Sequence, residues 1–259
     1  MQAAQASVKN IYRYPVKGLS PEKLVSTVLA VGETVPADRL YAIENGPSGF
    51  DPRAPGYLPK QRFLMLMRNE RLARIDARFE EASHTLALRE SGREAARGEL
   101  RTPAGRAAIE DFFAHFCADE LRGPPQVLHA AGRSFSDVAK KVVSIINLAS
   151  VAAVETAIGA PVDPLRFRAN LHVEGWAPWR EFELLGRTVA VGSQARLRIV
   201  KRIGRCAATE VEPGTGIRDL AIPHTLMQNF DHTDCGVYAE VVAAGRIAAG
   251  DRVDVIGET

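Results

Sequence analysis

The chain has 259 residues, 46% hydrophobic and 25% charged, an ordinary globular composition long enough to bury one large core or two smaller ones. Its net charge of +2 makes no electrostatic case for nucleic acid or an anionic membrane as partner. Three cysteines (Cys117, Cys206 and Cys235) without a CxxC pair exclude a fully paired disulfide framework and a four-cysteine iron–sulfur cluster within the chain, and fit a reducing compartment.

The opening "MQAAQASVKN" has neither a basic nor an apolar signal region, so no secretory signal is predicted. "VKNIYRYPVKG", "LVSTVLAVG" and "RLYAIENG" read as short strands closed by turns. "ENGPSGFDPRAPGYLPK", dense in Gly and Pro, reads as a long loop, and "TLALRES" as another strand. In "TPAGRAAIEDFFAHFCADEL" the period changes: Ile109, Phe112, Phe113, Phe116 and Cys117 recur at helical spacing behind a Thr102-Pro103 start. Cys117 then lies on the buried stripe as a core thiol.

"GPPQVLHAAGR" is a turn-rich break, which divides the chain into domains at 7–122 and 123–257. Beyond it Lys141 to Ile146 reads as a buried strand, and Asn147 opens a helix with Leu148, Val151, Val154 and Ile158 inward. Its apolar run is broken by Asn147, Ser150 and Glu155 and does not read as membrane-spanning. An Asn at that junction serves as an N-cap, and the first helical N–H groups there also make an anion site. "LRFRANLHVEG" alternates, with Arg166, Arg168, Asn170 and His172 on a face expected to be solvated. In "RTVAVGSQARLRIVKRIGRC" further strands carry Arg196, Arg198, Lys201, Arg202 and Arg205, either as a solvated sheet edge or as a stripe for an acidic partner. The tail "CGVYAEVVAAGRIAAGDRVDVI" gives two more strands. Many short strands with few helices predict an α+β protein, predominantly β and barrel-like. The cysteine usage, the lack of a signal region and the broken apolar run predict that it is soluble and cytoplasmic.

No GxxxxGK[ST], no strand–GxGxxG–helix and no HExxH is present. "DHTDC" offers His232 and Asp234 but lacks the spacing of a closed zinc site. Lysines are scarce and arginines abundant, so each lysine stands out against the general basic composition. Cys206 follows Arg205 at the end of a basic strand, where positive charge favours the thiolate, a nucleophile and soft-metal ligand. On composition alone a core cysteine and a ligand both remain open.

"RCAATEVEPGTG" resembles the R-C-x-x-T-x-V-x-P-x-T-G segment of MOSC-domain proteins, named for the C-terminal domain of molybdenum cofactor sulfurase. The chain is most similar to the branch containing the amidoxime-reducing component. "YRYPVKGL" resembles that family's Y-P-V-K, "ADRLYAI" its D-R-x-[WY], and "FRANL" its F-R-P-N-[IL]. "FSD" precedes "SIINLAS", and the tail resembles G-x-Y…G-x-I-x-x-G-D-x-V. Gly18 stands where some relatives have Ser, Ala169 replaces the Pro of F-R-P-N, and the spacer after "FSD" is longer.

The resemblance implies a MOSC-type β-barrel preceded by a smaller β-barrel-like domain, with a molybdenum–molybdopterin cofactor between them and Cys206 as metal ligand. It implies that Lys17, Arg39, Asn147, Arg168 and Asn170, with Arg205 beside the cysteine, bind that cofactor. The expected activity is reduction of a small N-hydroxylated substrate, with electrons from a separate ferredoxin- or flavin-type reductase and His232 or Asp234 as candidate proton donors. The alternative is a cofactor or sulfur carrier that takes up a persulfide on Cys206.

Overall fold

The computed structural model describes residues 5–257. In chain order the strands and helices begin with β1 (Ser7–Arg13), β2 (Glu22–Leu24), β3 (Ser26–Leu29) and β4 (Ala42–Asn45). There follow β5 (Ile75–Glu80), β6 (Thr85–Glu90), β7 (Arg93–Glu99), α1 (Pro103–Phe116) and β8 (Pro125–Leu128). The second half holds β9 (Val143–Asn147), α2 (Leu148–Ile158), β10 (Leu171–Glu174), α3 (Arg180–Glu183), β11 (Thr188–Val191) and β12 (Ala195–Gly204). It closes with α4 (Ile222–Phe230), β13 (Asp234–Ala243), β14 (Gly245–Ala248) and β15 (Val253–Val255).

The protein is predominantly β. An eight-stranded sheet runs β15-β11-β12-β13-β9-β10-β1-β2. It curls on itself: Val8 N–H donates to Asp251 O at 2.8 Å and Val253 N–H to Ala6 O at 2.8 Å, joining β1 to the chain entering β15. Alternate residues of these strands point into one barrel core, among them Val8, Ile11, Ile145, Leu171, Val189, Leu197, Ile199 and Val237. Side chains two apart share a face, so the period-2 patterning of the sequence is what fills this interior.

A second core lies under the β5-β6-β7 meander, the β4-β8 pair and α1, packed by Ile43, Leu64, Leu72, Leu86, Leu88, Ile109, Phe113 and Cys117. Cys117 is fully buried, as its place in the helical stripe predicts, and burial pushes its thiol up to about 12. Thr102 caps α1 by accepting from Gly105 N–H, with Pro103 in the first turn. Val211, from the turn after Cys206, belongs to this second core, so the two cores meet beside that cysteine. Among the described residues no helix is long and apolar enough to cross a membrane.

Four local expectations are corrected. "LRFRANLHVEG" does not run as one strand: Pro164–Phe167 forms a 3-10 turn, capped by Asp163 accepting from Leu165 N–H, and β10 starts only at Leu171. Its polar face is not solvated either, since Arg166, Asn170 and His172 are all buried. The basic strand β12 is no sheet edge but lies between β11 and β13. In the turn-rich break, residues 125–128 pair with β4, and β5 and β7, both rich in charge, flank the predicted "TLALRES" strand.

Candidate cofactor cleft

Beyond Arg13 the chain leaves the large sheet, and Tyr14 to Lys17 run beside Tyr41, with Lys17 N–H donating to Tyr41 O at 2.9 Å. This puts Lys17 at the mouth of the barrel, where a cleft of about 360 Å³ separates the two cores. The smaller unit lines it with Lys17, Gly18, Asp38, Arg39, Lys60 and Met65 to Met67. The rest of the lining is Asp137, beside Lys17, with Ser144, Arg166, Arg168, Asn170, Lys201, Arg202, Arg205, Cys206, Thr209 and Tyr238. Eight cationic side chains face two carboxylates, so the cleft is strongly electropositive although the whole chain is not.

Cys206 sits where β12 ends. It is the extended N-cap of the 3-10 turn Ala207–Glu210, and its carbonyl accepts from both the N–H and the hydroxyl of Thr209, each at 3.0 Å. Among the described residues Cys117 and Cys235 are buried, and Cys206 alone reaches solvent. Its sulfur is 3.3 Å from Lys60 Nζ. Burial works against the Lys60 ammonium, but Asp137 and Cys206 outweigh it and raise its pKa. Lys60 is thus the cation in contact with the sulfur, not Arg205 as the sequence suggested. Arg205 instead spans the barrel end, its guanidinium donating to Phe167 O at 2.8 Å and, through Nε, to Cys235 O at 2.7 Å.

The inner cations are each held in place. Lys17 Nζ donates to Phe135 O at 2.9 Å and pairs with Asp137, whose other oxygen lies 3.9 Å from Lys60 Nζ. Burial lowers the Lys17 pKa and Asp137 draws it back. Burial alone would raise the Asp137 carboxyl, yet Lys17, Lys60 and Arg39 hold it at about 2. Arg39 pairs with Asp38 and donates to Arg168 O at 3.0 Å; Arg168 donates to Leu19 O at 2.8 Å. Burial brings the Arg168 guanidinium down to about 10, still charged at neutral pH. Arg39 and Arg168 have φ of 51° and 52°, a left-handed backbone that costs a non-glycine residue about 1–3 kcal/mol and persists where surrounding contacts enforce it.

Of the predicted residues, Lys17, Arg39, Arg168, Asn170, Arg205 and Cys206 come together here. Asn170 contributes wall: its carboxamide accepts from Ser144 N–H and Oγ and donates to Tyr12 O. Asn147 does not reach the cleft. It is fully buried, accepts from Ala149 N–H as the cap of α2, and donates to Ala177 O and Glu181 at 2.7 and 2.8 Å. His232 is also elsewhere, packed among Trp179, Phe182 and Phe230, with Asp234 N–H donating to its Nδ1. Sequence reasoning missed Lys60, although its type and its place at the close of the Gly/Pro loop were the available signals.

A family model for the MOSC domain matches residues 127–254, and one for the MOSC N-terminal beta barrel domain matches residues 5–136. Among solved structures the chain is similar to the YUAD protein from Bacillus subtilis, at 12% identity over 97% of this chain and 95% of that one, with a TM-score of 0.46. It is also similar to YiiM from Geobacillus stearothermophilus, at 18% identity over 44% of this chain and 53% of that one, with a TM-score of 0.35. YiiM from Escherichia coli compares at 18% identity, 45% and 55% coverage, and a TM-score of 0.33. No curated protein sequence matches.

Proposed function

The chain belongs to the MOSC-domain family, and on that premise we propose that it is a molybdenum-cofactor-dependent reductase of N-hydroxylated compounds, with Cys206 as the protein's ligand to molybdenum. MOSC domains are generally associated with this cofactor. The observation that carries the reading is one accessible cysteine sulfur opening into a cleft whose other charged groups are mainly cations.

The donor set fits the cofactor's chemistry. A thiolate suits a soft metal, and an anionic phosphate needs cations at the other end of the same group. Lys17, Arg39 and Arg168 would hold the phosphate, Arg by its planar fork and Lys as a point charge. Asn170 and Ser144 shape the adjoining wall, and Lys60 keeps a positive charge against the Cys206 sulfur. When bound, the cofactor supplies two-electron chemistry that takes R–NHOH, two electrons and two protons to R–NH2 and water. The protein's part is to orient the group and limit access to it. We assign electron supply to a separate ferredoxin- or flavin-type reductase, because the three cysteines lie apart, Cys117 in the second core, Cys235 packed with Val151 and Leu226, and Cys206 in the cleft, and so cannot together hold an iron–sulfur cluster.

The test is molybdenum per chain on protein made with ample cofactor supply, for the unsubstituted chain and Cys206→Ser. Near-stoichiometric metal in the former and near-background metal in the latter is the expected pair. Equal metal in both would overturn Cys206 as ligand. No metal in either, with a persulfide on Cys206 by mass spectrometry, would replace the reductase with a sulfur carrier.

A further inference from the structure

Tyr14 is the first residue after β1 and is fully buried. Its ring is shared by two cations: Arg39 Cζ lies 4.8 Å and Arg168 Cζ 4.3 Å from the ring centroid. These are the two cleft arginines whose backbones are left-handed, and they come from distant parts of the chain. Two guanidiniums brought together repel each other, and each is taken from water. A π face offers both of them negative potential without neutralising them, as a carboxylate would.

The backbone of Tyr14 is tied into the same group. Its N–H donates to Asp38 Oδ1 at 2.8 Å, its carbonyl accepts from Arg39 N–H at 2.7 Å, and Asp38 also pairs with the Arg39 guanidinium. The Tyr14 hydroxyl is buried and has no hydrogen-bond partner among the described residues. The ring, not the hydroxyl, is therefore what the arginines meet.

We infer that Tyr14 is a positioning residue of the anion clamp, its ring holding Arg39 and Arg168 together at the cleft so that one phosphate dianion meets both. The inference rests on the reading that these two arginines grip phosphate. It extends that reading to a buried residue that touches no ligand. The Asp38 pair alone cannot hold both cations, since it reaches Arg39 and not Arg168.

The experiment is titration calorimetry of the full chain with inorganic phosphate as probe. Tyr14 is replaced by Phe and then by mono-, di- and trifluorophenylalanine, which drain the ring face of negative potential with little change of shape. Tyr14→Phe is expected to bind phosphate as the unsubstituted chain does, and affinity to fall stepwise to a loss on the order of tenfold at the trifluoro ring. Thermal unfolding of each variant checks that the fold is kept. A flat fluorine series, or loss of binding in Tyr14→Phe, overturns the role of the ring. Absence of phosphate binding by the unsubstituted chain overturns the clamp and this inference with it. A graded series in a protein that loads no molybdenum supports Tyr14 and sinks the reductase reading alone.

Discussion

At the residue scale the site turns on Lys60, the cation 3.3 Å from the Cys206 sulfur. A hydrogen bond from a charged donor is worth more than one between neutral groups, and here the donor ammonium is itself steadied by Asp137. Lys60→Met is expected to lower turnover of an N-hydroxylated substrate on the order of tenfold, measured per bound metal, with Lys60→Arg recovering part of it. Its side chain is partly exposed, so the stability read from chemical unfolding should change by no more than about 0.5 kcal/mol. Unchanged turnover in Lys60→Met would remove the lysine from the chemistry and leave it a neighbour only.

At the element scale, three junctions place the site. The end of β12 delivers Cys206; the Pro164–Phe167 turn delivers Arg166 and Arg168; the segment after β1 delivers Lys17. A bulge in β12 between Ile199 and Lys201 breaks the alternation, and Lys201 and Arg202 beyond it line the cleft. Gly236, opposite this stretch, has φ of 78°, and a Cβ there would lie 2.5 Å from Ile145 O and 3.1 Å from the Arg205 guanidinium, so glycine lets these strands close. The junction of β9 and α2 is structural instead. Asn147→Ala removes a helix cap and one donor to the buried Glu181, and is expected to destabilise the protein by about 2 kcal/mol in urea unfolding. Molybdenum loading should stay unchanged in that variant, because Asn147 does not line the cleft. Lost loading in a folded Asn147→Ala protein would return it to the site.

At the scale of the whole molecule, the buried His172 sets an acid limit. Burial, helped by the Lys23 charge, brings His172 down to about 4 from an ordinary 6.5. Desolvation first, then the Arg101 charge, also lowers the half-buried His84 and the more exposed His129. A histidine that resists protonation when folded lets the unfolded chain take up the proton first. Stability is therefore complete above the unfolded value, declines as pH falls from about 6.5 toward 4, and levels off once the folded His172 is also protonated. His172→Leu is expected to flatten this decline, read as urea midpoints across that range. A wild-type profile that stays level from pH 7 to about 4 would show that these groups titrate normally in the fold.

The order of residues along the chain was enough to settle the elements whose signals are local. These include the α1 start at Thr102-Pro103, the Asn147 cap and the alternation that fills the barrel. It also pointed to Cys206 and to four of the eight cations around it, Lys17, Arg39, Arg168 and Arg205, through motifs whose order along the chain is specific. It could not say that "LRFRAN" turns instead of extending, because the Asp163 cap and the burial of Arg166 against Asp219 outweigh the period-2 pattern. Nor could it pair Lys60 with Cys206, or Tyr14 with Arg39 and Arg168, across such distances in the chain. Those contacts exist only where two cores pack against each other, since side-chain contact across a cleft depends on how the units meet and leaves no period in the sequence that supplies it.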